Sequence, residues 1–160
     1  MSDFQKKDLV IIAHLRQNAR MKLTAMSRKT ALPVSTIYDR LQLHEGKTIL
    51  KHSSLIDFSR LGFSARVNVL FKLGKTDKQE FVAFLSKHQN VNSLYRINNG
   101  FDFLAECIFK NIRELEDFFE QLDARFDIKH KEVYHVIDEL KREAFLSDPQ
   151  LIELAGIEAA

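Results

Sequence analysis

Residues Leu23–Leu43 read LTAMSRKTALPVSTIYDRLQL, and this stretch predicts two short helices separated by a tight break. The first helix is expected over Leu23–Thr30, and the second over Val34–Glu45, directly after a proline. Because apolar residues recur at helical spacing in the second helix, one of its faces is expected to pack against the first helix. The positions that form this face are Val34, Ile37 and Leu41.

The opposite face of the second helix carries small polar groups and a guanidinium, on Ser35, Thr36, Asp39 and Arg40. Short polar side chains at a helix start, with an arginine one turn later, suit a helix that lies in the major groove of DNA. Ser35 and Thr36 are expected to donate to phosphates or to touch base edges. Arg40 is expected to reach a guanine or a phosphate, and its place well into the helix favours the phosphate.

Two further residues of this helix have open interpretations. Tyr38 either packs inward with its hydroxyl at the DNA surface or serves packing alone. Asp39 is expected to orient Arg40 or to reject mismatched bases.

The charge of the chain is uneven, although its formal net charge is only +2. Residues 1–62 carry eleven Lys and Arg against five Asp and Glu, whereas residues 63–160 carry thirteen against seventeen. A basic first half beside an acidic second half favours a nucleic-acid partner for the first half. Each cation is either a contact to the DNA backbone or merely solvated, and the candidates are Lys22, Arg28, Lys29, Lys47 and Lys51.

Composition argues for an ordinary globular protein of the cytoplasm. The chain is 45% hydrophobic and 29% charged, and its single cysteine, Cys107, fits a reducing compartment. The longest apolar run, Leu9–Ala13, is too short for a bilayer, so no membrane partner is expected. The six histidines lack metal-ligand spacing, and no nucleophile–base pair or phosphate loop occurs. We therefore expect no enzyme, no metal and no cofactor.

The remaining pattern predicts an α+β protein. A first helix over Gln5–Asn18 completes a three-helix start, and Thr48–Asp57 is expected to form a strand that acts as wing and linker. Beyond Gly62 the spacing of apolar residues predicts the order strand, helix, strand, strand, helix, strand, with a hairpin turn at Asn99-Gly100. The predicted ranges are Ser64–Leu73, Asp77–His88, Val91–Asn98, Phe101–Lys110, Asn111–Phe126 and Lys129–Glu139.

Four segments carry a resemblance to a known family: Asn18-Ala-Arg20, Leu32–Leu41, Leu61-Gly62 and Asn92–Phe103. With an N-terminal winged helix-turn-helix followed by a βαββαβ ferredoxin-like domain, the chain resembles the Lrp/AsnC family, the leucine-responsive or feast–famine transcription regulators. The recognition-helix sequence PVSTIYDRL is similar to that of archaeal members. We divide the chain into a winged helix-turn-helix over 1–50, a linker strand over 51–62, a ferredoxin-like effector and oligomerisation domain over 63–143, and a tail over 144–160.

The resemblance implies a sequence-specific regulator that binds double-stranded DNA as a homodimer or higher homo-oligomer. It also implies an amino acid or other small effector, bound at Asn98, Asn99, Gly100 and Asp102. The family usually has glycine at the position of Asn99, leucine at that of His44 and glycine at that of Thr48. Two alternatives stay open. In the first, Asn99-Gly100 is only a type I′ turn, and Asp102 stabilises that turn or a neighbouring subunit. In the second, the protein is an oligomeric small-molecule-binding or scaffolding protein that has lost DNA binding.

Overall fold

The computed structural model describes Gln5–Ala155, with side chains as far as Ile152. The chain forms two compact units. The N-terminal unit comprises Met1–Leu55 together with Leu140–Ala160, and the sheet unit comprises Ile56–Glu139. The described part of the tail, residues 144–155, thus belongs to the N-terminal unit. No helix in the described part of the chain has the length and apolarity needed to span a membrane.

The N-terminal unit is built from three helices, α1 Lys6–Gln17, α2 Leu23–Thr30 and α3 Val34–His44. All lie where the sequence pattern predicts them, within a residue at each end. The break between α2 and α3 is tight because Ala31 adopts a left-handed conformation, with φ 57°. The hydroxyl of Ser27 closes it by donating to the Leu32 carbonyl at 2.6 Å. One residue of each helix is buried in the shared core, namely Ile11, Met26 and Ile37.

The predicted wing strand over Thr48–Asp57 does not form. After α3 the chain makes a turn in which three successive amides donate to the His44 carbonyl, at 3.0 to 3.1 Å. An isolated bridge between Glu45 and Ile49 follows, and residues 50–57 have no regular structure. A strand requires a neighbour for its N–H and C=O groups, and no described strand of this chain lies beside the segment. Leu50 accordingly remains 82% exposed.

The sheet unit begins with a 3₁₀ turn, Phe58–Leu61, which ends at Gly62 with φ 85°. The elements then follow in the predicted order, and their bounds are β1 Ala65–Leu73, α4 Lys78–Lys87, β2 Val91–Arg96, β3 Phe103–Phe109, α5 Ile112–Arg125 and β4 Ile128–His135. The carboxylate of Asp77 caps α4, and the side chain of Asn111 caps α5. The strand order is β2-β3-β1-β4 and every pair is antiparallel, which is the ferredoxin-like arrangement.

One face of the sheet carries the core. Alternate residues of β1 and β3, such as Val69 and Ala105, are fully buried together with residues of α4 and α5, such as Phe81 and Leu122. The apolar residues on the inward side of α5 and at its end are all buried: Leu115, Phe118, Phe119, Leu122 and Phe126. Cys107 belongs to this core, and burial together with the nearby Glu106 charge raises the pKa of its thiol to about 12. Cys107 is therefore an inert core residue at neutral pH.

The described part of the tail packs on its own N-terminal unit. A 3₁₀ helix, Pro149–Ala155, contacts α1, and Ile152 is buried against Leu9 and Ala13. The Arg16 guanidinium adds a 2.9 Å ion pair to the Glu143 carboxylate. The covering partner of this part of the tail is thus α1 of the same chain.

Replacing Ile152 by alanine is expected to destabilise the N-terminal unit by about 2 kcal/mol, at the low end for a buried isoleucine because the cluster is small. Hydrogen exchange in peptides of α1 should become faster, and the exchange rates of peptides from the sheet unit should not change. The exposed neighbour Leu151 provides the control, since its replacement by alanine removes little buried surface. Equal effects of the two substitutions would contradict this packing.

Candidate nucleic-acid interface and sheet hairpin

The exposed side of α3 carries Ser35, Tyr38, Asp39 and Gln42, which are spaced i, i+3, i+4 and i+7, and Val34 and Leu43 are also exposed, at 39% and 36%. Val34 therefore does not lie on the buried face, where the sequence pattern placed it. Thr36 is half-buried at one flank, and Tyr38 is 53% exposed. Tyr38 therefore does not pack inward. The sequence interpretation missed Gln42, although its spacing of seven residues from Ser35 places it on the same side of a helix.

Arg40 does not lie on this face, which corrects the expectation drawn from the sequence. Its side chain is only 14% exposed, and its guanidinium makes a two-point contact with the carboxylate of Asp8 in α1. The reason is helical geometry: Ile37, Arg40, Leu41 and His44 are also spaced i, i+3, i+4 and i+7, and their common face is the buried one. Arg40 is thus occupied in holding α3 to α1.

Asp8 is the centre of this buried cluster. Its side chain is fully buried and also accepts the Gln5 amide at 2.6 Å, while His44 Nε2 lies 3.4 Å from its Oδ1. Burial alone would raise the pKa of Asp8, but hydrogen bonds from Arg40 and Gln5 and the positive charge nearby outweigh it, so the pKa lies below its usual value. The sequence signal for this role was an acidic residue within the apolar stripe of α1.

His44 extends the cluster toward the turn after α3. Its ring is nearly buried, and its Nδ1 lies 3.4 Å from the hydroxyl of Thr48. The side chain therefore connects the Asp8 carboxylate in α1 to the segment where the wing was expected. His44 and Thr48 are thus in contact in this chain.

The cations proposed as phosphate contacts are all exposed in the N-terminal unit: Lys22, Arg28, Lys29, Lys47 and Lys51. Lys22 precedes the first turn of α2, and Arg28 and Lys29 lie in its last turn. Their exposure leaves them available to phosphates.

The sheet hairpin carries the residues proposed to bind an effector. Asn99 and Gly100 have φ angles of 62° and 93°, as a type I′ turn requires, and both are exposed together with Asn98. Asp102 is already hydrogen-bonded within the sheet unit: its carboxylate accepts hydrogen bonds from the Leu73 amide at 2.9 Å and from Lys78 Nζ at 2.5 Å. The bond from Lys78, followed by that from the Leu73 amide, lowers the pKa of Asp102.

Neither of two clefts in the sheet unit is lined by the hairpin residues. One cleft, of about 520 Å³, is lined by residues between Asp123 and Lys131, and another, of about 380 Å³, lies between α4 and α5 around Phe84. The described residues also contain no group of three His, Cys, Asp or Glu that could hold a metal ion. The structure therefore brings Asn98, Asn99 and Gly100 together on an open turn. The Asp102 carboxylate is bonded to Leu73 and Lys78 instead.

The comparison with known proteins now decides the family. A family model described as the Lrp/AsnC ligand binding domain matches residues 65–145, just over half of the chain. The chain belongs to the Lrp/AsnC family. The predicted family, fold class and general function, a DNA-binding transcription regulator, are confirmed.

Curated relatives include regulators from archaea and bacteria. The HTH-type transcriptional regulator FL11 of Pyrococcus horikoshii is 29% identical over 114 residues, which cover 71% of this chain and 76% of FL11. The HTH-type transcriptional regulator LrpC of Bacillus subtilis is 24% identical over 115 residues, which cover 71% of this chain and 80% of LrpC. The similarity to archaeal Lrp/AsnC members is thereby confirmed.

Solved structures share the fold. The transcriptional regulator NMB0573 of Neisseria meningitidis, determined in complex with L-methionine, superposes with a TM-score of 0.82 at 21% identity, over 94% of this chain and 98% of that one. Bacillus subtilis LrpC gives a TM-score of 0.76 at 20% identity, over 84% and 94%. At such identities the likeness concerns the fold alone.

Proposed function

We propose that this Lrp/AsnC protein binds double-stranded DNA as a homodimer, with α3 of each protomer in the major groove. The observation that carries the proposal is the division of α3 into two faces. Ile37, Arg40 and His44 hold one face against the rest of the N-terminal unit, and Ser35 and Tyr38 are presented on the other. A helix held rigidly from behind, with small and hydrogen-bonding groups in front, is what groove recognition requires.

Arg40 therefore acts in this proposal as a support for the recognition helix. Its replacement tests the fold of the unit, whereas replacement of Ser35 and Tyr38 tests the contact with DNA. Phosphate contacts are assigned to the exposed cations, which carry no sequence information but position the helix.

A gel-shift titration on the DNA upstream of the protein's own coding region tests the proposal. The double substitution Ser35→Ala and Tyr38→Ala is expected to abolish the shift without changing the helical circular dichroism. Ser86→Ala, at an exposed position of α4, is the matched control and should bind as the unaltered protein does. Retained binding by the double variant would show that α3 does not meet DNA, and would favour the alternative of a binding or scaffolding protein.

We assign dimerisation to the face of the sheet opposite the one that packs against α4 and α5. Leu70 and Leu104 are paired neighbours on this face, and both are half-buried. Beside them the Arg66 guanidinium bridges the carboxylates of Glu106 and Glu139. A half-apolar sheet face with satisfied charges at one end is suited to packing against a second copy.

Sedimentation of Leu70→Glu tests this assignment. A charge on each copy at the centre of the proposed contact is expected to convert dimers into monomers. Ala83→Glu adds the same charge to an exposed position of α4 and should leave the dimer intact. An unchanged sedimentation profile for Leu70→Glu would place the contact elsewhere.

We further propose that an amino acid or similar small effector binds at the Asn98–Gly100 turn, with the partner protomer supplying the rest of the site. Support comes from the ligand-binding family model and from the exposed amide groups of the turn, which suit a carboxylate. Because Lys78 holds Asp102, the ligand's ammonium group requires another acceptor.

Calorimetric titration of the purified protein with all common amino acids checks this proposal. Heat is expected for at least one of them and should disappear in Asn98→Ala. Gln89→Ala, which removes a carboxamide at an exposed position before β2, is the control and should keep the heat. If no amino acid gives heat, the turn is only a hairpin connection.

A further inference from the structure

The exposed face of α3 has a composition that is unusual for a DNA-reading surface. From Ser35 to Gln42 it extends about 10.5 Å along the helix axis, which corresponds to about three base pairs. With Arg40 turned inward, this face carries no cation between Ser35 and Gln42. The bidentate arginine–guanine contact, the commonest specific contact in DNA recognition, is therefore absent from the centre of the helix.

Asp39 and Gln42 are the two strongest hydrogen-bonding groups on this face. Both are exposed, and in the described part of the chain neither side chain has a hydrogen bond or an ion pair. The carboxylate of Asp39 can only accept, so it suits an amino group and is repelled by phosphates and by the carbonyl oxygens of guanine and thymine. The carboxamide of Gln42 both donates and accepts, as the edge of adenine requires.

We propose that Asp39 and Gln42 determine the sequence specificity of this regulator by reading exocyclic amino groups, Asp39 that of a cytosine and Gln42 that of an adenine. The two residues are three positions apart, so the bases they contact are neighbours or one step removed in the half-site. This inference rests on the proposed docking of α3 in the major groove.

An acidic residue at the centre of a DNA-binding helix lowers affinity for every site, because it faces the phosphate field. It lowers affinity least where an amino group meets the carboxylate. The exposed cations of the unit supply the general attraction, and Asp39 then rejects the sequences that lack a suitable partner. Specificity in this arrangement comes from exclusion as much as from attraction.

Selection of bound duplexes from a randomised DNA library tests the assignment, with the full-length protein and two variants. The unaltered protein should enrich a half-site that contains cytosine and adenine within about three base pairs. In Asp39→Asn the preference at the cytosine position should move to adenine, because asparagine pairs with the adenine edge. In Gln42→Ala the adenine preference should be lost, and the affinity gap between the selected and mismatched sites should fall by about 5- to 150-fold.

The matched controls are Asp117→Asn and Gln121→Ala, the same substitutions at exposed positions of α5. Both should select the same half-site as the unaltered protein. Circular dichroism identical to that of the unaltered protein establishes that the α3 variants remain folded.

Base analogues provide a second and more direct test on the selected duplex. Replacing the cytosine by 2-pyrimidinone, or the adenine by purine, removes only the amino group. Each replacement should weaken binding by the unaltered protein, and the penalty should vanish in Asp39→Ala or Gln42→Ala respectively. Selected sites that are indifferent to both substitutions and both analogues would overturn this inference alone, whereas failure to enrich any sequence would overturn the docking of α3 as well.

Discussion

Affinity for operator DNA is expected to fall about a thousandfold when salt rises from about 50 to 200 mM, on the basis of about six phosphates engaged per dimer. Each neutralised phosphate releases a condensed counterion, so binding weakens as a power of the salt concentration. Five exposed Lys and Arg of the N-terminal unit are available for such contacts in each protomer: Lys22, Arg28, Lys29, Lys47 and Lys51. The expected logarithmic slope is therefore steep, about −5.

Titration at a series of salt concentrations measures this slope directly. Lys47→Gln should reduce its magnitude by about 2, because a homodimer loses the contact twice. Lys87→Gln, at an exposed position of α4, should leave it unchanged. A flat salt response would mean that the basic first half of the chain serves another purpose.

Asp8→Asn is expected to destabilise the N-terminal unit by about 3–5 kcal/mol. The substitution preserves the shape of the side chain but removes the charge opposite Arg40, whose guanidinium is 14% exposed and cannot regain full hydration in place. Hydrogen exchange in α1 and α3 should accelerate strongly, while α4 and α5 keep their protection. DNA binding should fall with it, since α3 loses its support.

A paired substitution separates the charge effect from packing. Asp8→Leu combined with Arg40→Met removes both charges and retains volume, and should recover much of the lost stability. Asp117→Asn, on the surface of α5, is the control and should change stability by less than about 0.5 kcal/mol. If Asp8→Asn is as harmless as this control, the buried contact does not hold α3.

The same carboxylate makes the N-terminal unit sensitive to acid. Because the pKa of Asp8 is lower in the folded state than its usual value of 3.8, the unfolded state binds the proton more readily. The contribution of the Asp8 carboxylate to the free energy of unfolding is complete when the pH is above that usual pKa. It is lost as the pH falls through the lowered pKa of the folded state. Exchange rates in α1, corrected for intrinsic exchange, should therefore rise below about pH 4 in the unaltered protein, and Asp8→Asn should lack this dependence.

Several elements were predictable because their signals are local. The α2–α3 pair, the hairpin at Asn99-Gly100 and the inward face of α5 depend on periodicity and turn chemistry, which act over a few residues. The exposed turn residues and the cations were likewise predicted as surface groups, and their exposure agrees.

Other outcomes depended on residues far away in the chain. The partner of Arg40 lies 32 positions earlier, and that of Ile152 lies in α1 at the other end of the sequence. Without those partners in view, the local pattern predicts that Arg40 contacts DNA and gives no packing partner for the tail. The segment Thr48–Asp57 has strand-like composition, but composition cannot supply the neighbouring strand that its backbone requires.

The amino-acid sequence by itself determined the order and type of the helices and the four sheet strands, the boundary between a basic and an acidic half, and the family. Only the tertiary structure decided which face of α3 is free, because a buried carboxylate in α1 binds Arg40 and holds its side chain away from the exposed face. It likewise decided that the Asp102 carboxylate accepts hydrogen bonds from the Leu73 amide and from Lys78 Nζ. The physical reason is common to both cases: a charged side chain takes the partner that lies nearest in space, and distance along the chain does not reveal that partner.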